Sequence, residues 1–146
     1  MNRLLLWLVR NFTPAATHRP EVGEYVDIGE NYLRRYRLGR HVYLHHFIGG
    51  DVDRFLHDHP WNAVSLVLRG SYEEELLSTR IEWPRLRKVR WFNRINGETF
   101  HRICQVEPDT WTLVFRGNRY KRWGFLETKL SAVKDGSIIM RWKPYA

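Results

Sequence analysis

The sequence predicts an all-β fold, a sandwich or barrel, in a single domain of 146 residues. Three observations favour this fold class. From residue 25 onward, short apolar or aromatic runs alternate with turn residues at intervals of roughly eight to twelve residues. The length fits one hydrophobic core. No internal repeat, low-complexity segment or linker divides the chain.

Roughly nine to eleven strands are expected, and nine of them can be delimited by β-branched and aromatic residues between turn residues. They are Tyr32–Leu38, Val42–Ile48, Ala63–Leu68, Tyr72–Leu77, Arg87–Phe92, Thr99–Gln105, Trp111–Arg116, Trp123–Thr128 and Ser137–Trp142. Among the turns between them, Asn96-Gly97 is the strongest hairpin signal.

The first 24 residues follow a different pattern. Leu5, Leu8, Val9 and Phe12 recur at helical spacing, which predicts a short amphipathic helix that packs on the domain or on a second subunit of a homodimer. Thr13–Glu24 then reads as a connector to a β-barrel over residues 25–146. The N-terminal apolar run is too short for an export signal, and no stretch is long enough to span a membrane.

The chain is strongly basic, with a formal net charge of +8. Lysines and arginines concentrate in Leu33–Arg40, Arg85–Arg94 and Arg116–Arg122. Such a balance favours acidic partners: a small anionic substrate, nucleic acid or an acidic protein. Arg116, Arg119 and Arg122 are the candidates for attracting an anionic substrate. The single cysteine excludes an intrachain disulfide and favours a cytoplasmic protein.

The stretch His57-Asp58-His59-Pro60-Trp61 carries the strongest chemical signal. On an extended segment two histidines one residue apart face the same side, so two imidazoles converge as half of a metal site. Asp58 faces the other way and is expected to stabilise the turn or to hydrogen-bond an imidazole. His101, after the Asn96-Gly97 turn, is the best candidate for a third ligand from a neighbouring strand.

These motifs resemble the cupin superfamily. His57-Asp58-His59-Pro60-Trp61, together with the run from Ser65 through Gly70 to Glu74, is similar to the first cupin motif of small HDHPW-type cupins from bacterial and phage genomes. The run from Gly97 to His101 and Ile103 is similar to the second motif. The resemblance covers roughly residues 30–128 and implies a double-stranded jelly-roll barrel.

The sequence departs from the usual cupin pattern at one ligand. A glutamate normally follows the second histidine by three or four residues, and here Ala63 and Val64 occupy those positions. The expected site is therefore His57, His59 and His101, which is similar to the three-histidine iron site of the thiol dioxygenase group. The resemblance also leans toward His45 as a pocket residue. A replacement carboxylate can come from Glu73, Glu74 or Glu75 past the turn. Tyr72 and Glu74 share one strand face and Glu73 and Glu75 the other, and alternation does not decide which face looks inward; Tyr72 and Glu74 are taken as the pocket candidates.

Three functions follow as expectations. The first is a mononuclear metal-binding cupin, concretely a dioxygenase acting on a small anionic molecule, with iron preferred and zinc, nickel, manganese and copper left open. The second is a non-catalytic binding module whose basic and aromatic run from Arg87 to Phe92 contacts nucleic acid or an acidic protein. The third is a metal-free isomerase or epimerase of cupin fold.

Overall fold

The computed structural model describes residues 25–50, 55–77, 84–129 and 139–145. The predicted N-terminal helix and connector lie outside the described residues. Within those ranges the chain forms twelve strands and no helix, so the predicted all-β class is confirmed. The described part of the chain accordingly contains no helix that could cross a membrane.

The strands form two six-stranded antiparallel sheets. In spatial order the first sheet contains β1 (Tyr25–Ile28), β2 (Leu33–Arg37), β3 (Val42–Phe47), β10 (Thr110–Arg116), β5 (Ala63–Arg69) and β8 (Phe92–Ile95). The second contains β12 (Ile139–Pro144), β11 (Gly124–Lys129), β4 (Leu56–His57), β9 (Phe100–Val106), β6 (Tyr72–Leu77) and β7 (Arg85–Val89). Because the chain passes repeatedly from one sheet to the other, the architecture is the predicted jelly roll.

A hydrophobic core joins the inner faces of the two sheets. Phe47 of the first sheet contacts Tyr72 of the second, with ring centroids 5.7 Å apart. Tyr32, Leu33, Val89 and Ile103 complete this buried cluster. Fully burying one such side chain stabilises the fold by about 1.5–3 kcal/mol. Apolar side chains fill this part of the interior. Buried polar side chains, among them His45, His57 and His101, lie in another part of it.

One predicted strand is wrong. Arg87–Phe92 is divided between β7 and β8, which lie at the edges of different sheets. Val89 is buried in the core, whereas Trp91, two residues on, is 81% exposed. A bend at Arg90 and Trp91 takes the chain across the side of the sandwich. Neither residue is a turn former, so the sequence carries no signal for the break.

The predicted hairpin at Asn96-Gly97 is also wrong, although a turn is present. The amide of Thr99 donates to the carbonyl oxygen of Asn96 (3.0 Å), and the amide of Glu98 donates to Oδ1 of Asn96 (2.9 Å). The flanking strands β8 and β9 belong to different sheets and do not pair. The turn therefore connects the two sheets and delivers β9, with His101, to the second sheet.

Gly70 is required by the turn between β5 and β6. Its φ is +74°, in the left-handed region that glycine adopts without steric cost. A side chain there would also collide with Thr110. Gly70 thus lies where the chain leaves β5 of the first sheet and enters β6 of the second. The left-handed turn at this point explains why a glycine follows the histidine motif here.

Candidate metal centre

The short strand β4 places His57 directly opposite His101. Its neighbours are β9 and β11, and His57 and His101 are register partners in the β4–β9 ladder. Directly paired residues on adjacent strands project to the same face of a sheet. Both side chains are buried in the interior, with ring centroids 5.0 Å apart. Pairing between strands distant in sequence therefore supplies two of the three histidines.

His59 lies beyond the end of β4, in a loop that Asp58 holds in place. Asp58 points away from the histidines: Oδ1 accepts a hydrogen bond from the amide of Gly124 (2.6 Å), and Oδ2 pairs with Nζ of Lys121 (2.6 Å). The His59 ring therefore turns back toward His57, with centroids 5.2 Å apart. Trp61 stacks on His59 at 4.4 Å and restricts its orientation. Of the two roles expected for Asp58, these contacts show the structural one.

The three histidines bring nitrogen atoms close enough to share an ion. One ring nitrogen of each lies within 4.8 Å of the others. The Nε2 atoms of His59 and His101 are 2.7 Å apart. Two zinc–nitrogen bonds of about 2.0–2.1 Å separate their nitrogens by about 2.9 Å at a right angle and about 3.3 Å at a tetrahedral angle. The donor set therefore fits a divalent transition metal after small shifts of the rings.

Glu74 lies behind His101 and does not line the cavity that the histidines share. Its Oε2 is 3.1 Å from Nδ1 of His101. A carboxylate only accepts hydrogen bonds, so Nδ1 carries a proton, and in the neutral form of the ring that leaves the lone pair of Nε2 for a metal. The expectation that Glu74 is a pocket residue or replacement ligand needs correction, because its position on β6, opposite Ile103, directs it at the back of the imidazole.

A buried network keeps the Glu74 carboxylate ionised. Arg87 donates to its Oε1, Asn93 donates to the same oxygen (3.0 Å), and Asn93 also donates to the Tyr72 hydroxyl (2.9 Å). Burial acts to raise the pKa of Glu74, but the hydrogen bonds from His101 and Arg87 outweigh it and the pKa is lowered. Asn93 and Arg87, which the sequence did not single out for this role, thus support the histidine cluster from behind.

The histidine cluster lines a cavity of about 520 Å³ between the sheets. This volume is in the range of small-molecule sites. His45 and Tyr72, two pocket candidates, are in its wall, together with Arg35. Arg35 is the register partner of His45, and its Nε donates to Nε2 of His45 (3.0 Å). We therefore define the metal-site cavity as the space bounded by the three histidines and by Arg35, His45 and Tyr72.

Two histidines of this cavity, His59 and His45, are held neutral. Burial is the main cause that lowers the pKa of His59 well below its usual value, and His101 and His57 add to it. Burial and the nearby Arg35 likewise lower the pKa of His45. Only neutral imidazoles can bind metal or accept the hydrogen bond from Arg35. At His59 the environment therefore favours the protonation state that metal binding requires.

Replacing His45 with Gln should flatten the acid side of the stability profile. Folded His45 stays neutral while the unfolded chain takes up a proton below pH ~6.5, so the free energy of unfolding falls as pH falls, by up to about 1.4 kcal/mol per pH unit for each such histidine. A glutamine oxygen can still accept from Arg35 but does not titrate. Denaturant unfolding of the two metal-free proteins at pH 5–7 gives the slope of the unfolding free energy against pH for each. Equal slopes for the unchanged protein and for His45→Gln would contradict the prediction.

The three candidate arginines for an anionic substrate are placed differently. Arg116 and Arg119 line a second cavity of about 350 Å³, next to the metal-site cavity, that also includes Arg35 and His45. Arg122 is exposed and lines neither cavity, because it lies in the loop before β11. Arg35 was the cation that sequence reasoning missed. Leu33 and Tyr36 are both apolar but on opposite strand faces, so strand alternation could not orient Arg35.

Comparison with known proteins supports the fold. No family model matches the sequence, and no curated protein matches it. Among solved structures, the chain is similar to the cumin domain of Drosophila melanogaster CENP-C, with a TM-score of 0.50 and 14% sequence identity. The match covers 79% of this chain and 94% of that domain. At this identity the likeness concerns the fold alone, and the chain has a cupin-like fold.

Proposed function

We propose that this protein binds a single transition-metal ion through His57, His59 and His101 and presents it to a small molecule in the metal-site cavity. The observation that carries the proposal is the convergence of three imidazole nitrogens, from the buried His57 and His101 and the half-buried His59, within 4.8 Å in the wall of a cavity of about 520 Å³. Imidazole donors suit zinc, copper, iron and nickel. Isolated histidines that only pack in a core have no reason to converge in this way.

The residues of the chain prepare the site for a metal with exchangeable positions. Glu74 fixes the protonated nitrogen of His101, and Trp61 and the Asp58 loop hold His59. Among the described residues, the group of clustered donors has three members and no carboxylate. A bound ion would supply Lewis acidity, or redox chemistry if it is iron, at positions that the protein leaves open.

The finer proposal is a dioxygenase that uses iron and acts on a small anionic molecule. It rests on the resemblance to thiol dioxygenases, whose iron site also has three histidines. The positive charge of the half-buried Arg35 in the cavity wall supports an anionic substrate, since a partly desolvated guanidinium attracts a counter-ion. Oxygen consumption by the iron-loaded protein, tested on small carboxylates and phosphates, addresses this reaction separately from metal binding.

A second candidate function is nucleic-acid binding by the exposed edge near Trp91. Its indole is 81% exposed, and Arg90 and Arg94 beside it are exposed as well. Such a combination suits base stacking with phosphate contacts. However, Arg87, which belonged to the predicted basic run, is engaged with Glu74. The metal proposal therefore has the stronger support, and oligonucleotide binding that weakens with salt would identify the alternative.

Metal reconstitution tests the proposal. The full chain is stripped with a chelator and then supplied, in separate anaerobic samples, with Fe²⁺, Zn²⁺, Co²⁺, Ni²⁺ or Mn²⁺. A further sample receives Cu²⁺. We expect about one tightly held ion per chain for at least one metal, by elemental analysis after desalting. With Co²⁺, added azide should change the absorption spectrum, because the open positions exchange ligands. A protein that retains no metal in any sample would refute the proposal and favour a metal-free isomerase or a binding module.

A further inference from the structure

The second cavity, of about 350 Å³, has an unusual charge composition. Arg35, Arg116 and Arg119 line it together with Tyr43, His45 and Trp61, and no aspartate or glutamate is among its lining residues. We call it the arginine cavity. Arg35, His45 and Trp61 also line the metal-site cavity, so the two spaces share a wall. A site with three cations and no carboxylate in its lining is complementary to an anion.

Neutral groups hold the guanidinium groups in place. Nε of Arg35 donates to Nε2 of His45 (3.0 Å), and Nε of Arg116 donates to the hydroxyl of Tyr43 (3.1 Å). Nη2 of Arg116 donates to the carbonyl oxygen of Arg40 (3.1 Å). Nε of Arg119 donates to the carbonyl oxygen of Lys121 (3.3 Å). Among the described residues, none of these three arginines forms a salt bridge.

Two of the like charges contact the same aromatic ring. The guanidinium carbons of Arg35 and Arg116 lie 5.4 and 5.6 Å from the centre of the same Tyr43 ring. Burial, opposed by the neighbouring tyrosines and reinforced by Arg116, lowers the pKa of Arg35, although arginine stays charged at any physiological pH. A partly desolvated cation next to a second cation, with no counter-ion, is unfavourable, and a bound anion relieves both the desolvation of Arg35 and its repulsion with Arg116.

We propose that the arginine cavity binds the dianionic phosphoryl group of a small phosphate ester, whose other end reaches the metal-site cavity. Three guanidinium groups favour a dianion over a monoanion, and their planar forks match phosphate oxygens. A volume of about 350 Å³ holds a phosphoryl group and a few further atoms. The phosphoryl assignment rests on the arginine cavity alone, and only the orientation of the ester toward the histidines rests on the proposed metal function.

Calorimetric titration of the metal-free full chain with inorganic phosphate tests the assignment. At pH 8, where phosphate is dianionic, and at constant ionic strength, we expect saturable binding with one site per chain. Acetate should bind at least about tenfold more weakly, because it is a monoanion and three guanidinium groups favour a dianion. A tenfold difference corresponds to about 1.4 kcal/mol of binding free energy. An absence of saturable phosphate binding, or equal binding of acetate, would overturn the proposal.

Matched variants separate a built site from general basicity. Arg116→Gln and Arg119→Gln should each weaken phosphate binding by about tenfold or more, the loss of one charge-assisted interaction. Arg122→Gln removes the same charge from an exposed residue that lines neither cavity, and should leave binding unchanged. If Arg122→Gln weakens binding as much as the other two, the effect is non-specific and the site is refuted.

Competition experiments distinguish a small phosphate ester from nucleic acid as the ligand. The phosphate titration and the metal reconstitution can also fail independently of each other. Glycerol phosphate should compete with inorganic phosphate; a short single-stranded oligonucleotide should not, and effective competition by it would replace the small-ester assignment with nucleic acid. Because the titration uses metal-free protein, phosphate binding without metal retention would refute only the metal centre. Metal retention without phosphate binding would refute only the arginine cavity.

Discussion

Replacement of His57 or His101 with alanine is expected to lower the affinity for a divalent transition metal by more than about 100-fold, beyond the 10- to 100-fold that loss of an outer partner of a ligand causes. Each variant leaves two imidazoles, too few for a mononuclear site. His59→Ala should have an effect of the same size, since its Nε2 lies 2.7 Å from that of His101. Competition with a chromogenic chelator measures the three affinities.

His46→Ala is the matched control for these variants. His46 lies on the opposite face of β3 from His45, where it stacks on Trp111 with centroids 4.1 Å apart. It removes one imidazole without touching the metal-site cavity, so metal affinity should be unchanged. Far-UV circular dichroism verifies the fold of every variant. Folded His57→Ala and His101→Ala proteins that bind metal as the unchanged protein does would contradict the predicted site.

Metal binding should also stabilise the fold, by an amount that rises with the logarithm of the affinity. At a free metal concentration 100 times the dissociation constant, a ligand that binds only the folded state stabilises it by about 2.7 kcal/mol. At the same metal concentration that increment should fall below about 0.4 kcal/mol in the alanine variants of the three histidines and persist in His46→Ala. Denaturant unfolding with and without metal gives the difference directly.

Replacement of Glu74 with glutamine is expected to reduce both metal affinity and stability. Oε1 accepts hydrogen bonds from Arg87 and Asn93, so the amide nitrogen of the glutamine is directed toward His101. There the amide N–H and the N–H at Nδ1 of His101 would be two donors facing each other. The imidazole therefore shifts to the tautomer that is protonated at Nε2, so that Nδ1 can accept from the amide. Because Nε2 is the atom that faces the other histidines, metal affinity should fall by about 10- to 100-fold.

The loss of stability has a separate cause. The Glu74 side chain is 1% exposed and forms an ion pair with Arg87, whose side chain is 45% exposed. Breaking a buried ion pair costs about 3–5 kcal/mol, and solvent access of the arginine reduces the expected cost here to about 2 kcal/mol. Unfolding of the metal-free variant in denaturant measures this term without any contribution from metal.

Glu75→Gln provides the control for Glu74→Gln. Glu75 pairs with Arg102 at 2.5 Å on the other face of the same strand, so its replacement removes an equal charge without touching His101. It should leave metal affinity unchanged. Nitrogen-15 NMR of the His101 ring reports the tautomer directly, which a general loss of packing would not shift. A Glu74→Gln protein with unchanged affinity and an unchanged tautomer would refute this role.

Much of the fold was predictable from local pattern. Tyr72–Leu77 was predicted with the bounds that the structure has, and most other strands differ by one or two residues. The exceptions are instructive. The run Arg87–Phe92 has the composition of one strand, yet Val89 belongs to one sheet and Phe92 to the other. Composition reports whether a segment is extended, but it contains no information about which sheet edge accepts it.

The candidate site was predictable only as far as the alternation of side chains along a strand determines it. Strand alternation placed His57 and His59 on one side with Asp58 on the other, and the contacts of Asp58 with Lys121 and Gly124 agree with that. Alternation could not choose an orientation for Arg35, because apolar residues flank it on both faces of β2. Nor could it tell whether Glu74 would meet a metal or the back of an imidazole, since both positions lie on the inner side of β6.

The sequence by itself therefore determined the all-β class, most strand bounds and the pairing of two histidines on one side of an extended segment. These properties depend on backbone conformation over a few residues. Only the tertiary structure decided that His101 meets His59 from 42 residues away, that Glu74 supports His101 from behind, and that Arg35 joins Arg116 beside Tyr43. Those contacts depend on which strands become neighbours and in which register, and register is set by the packing of the whole sandwich.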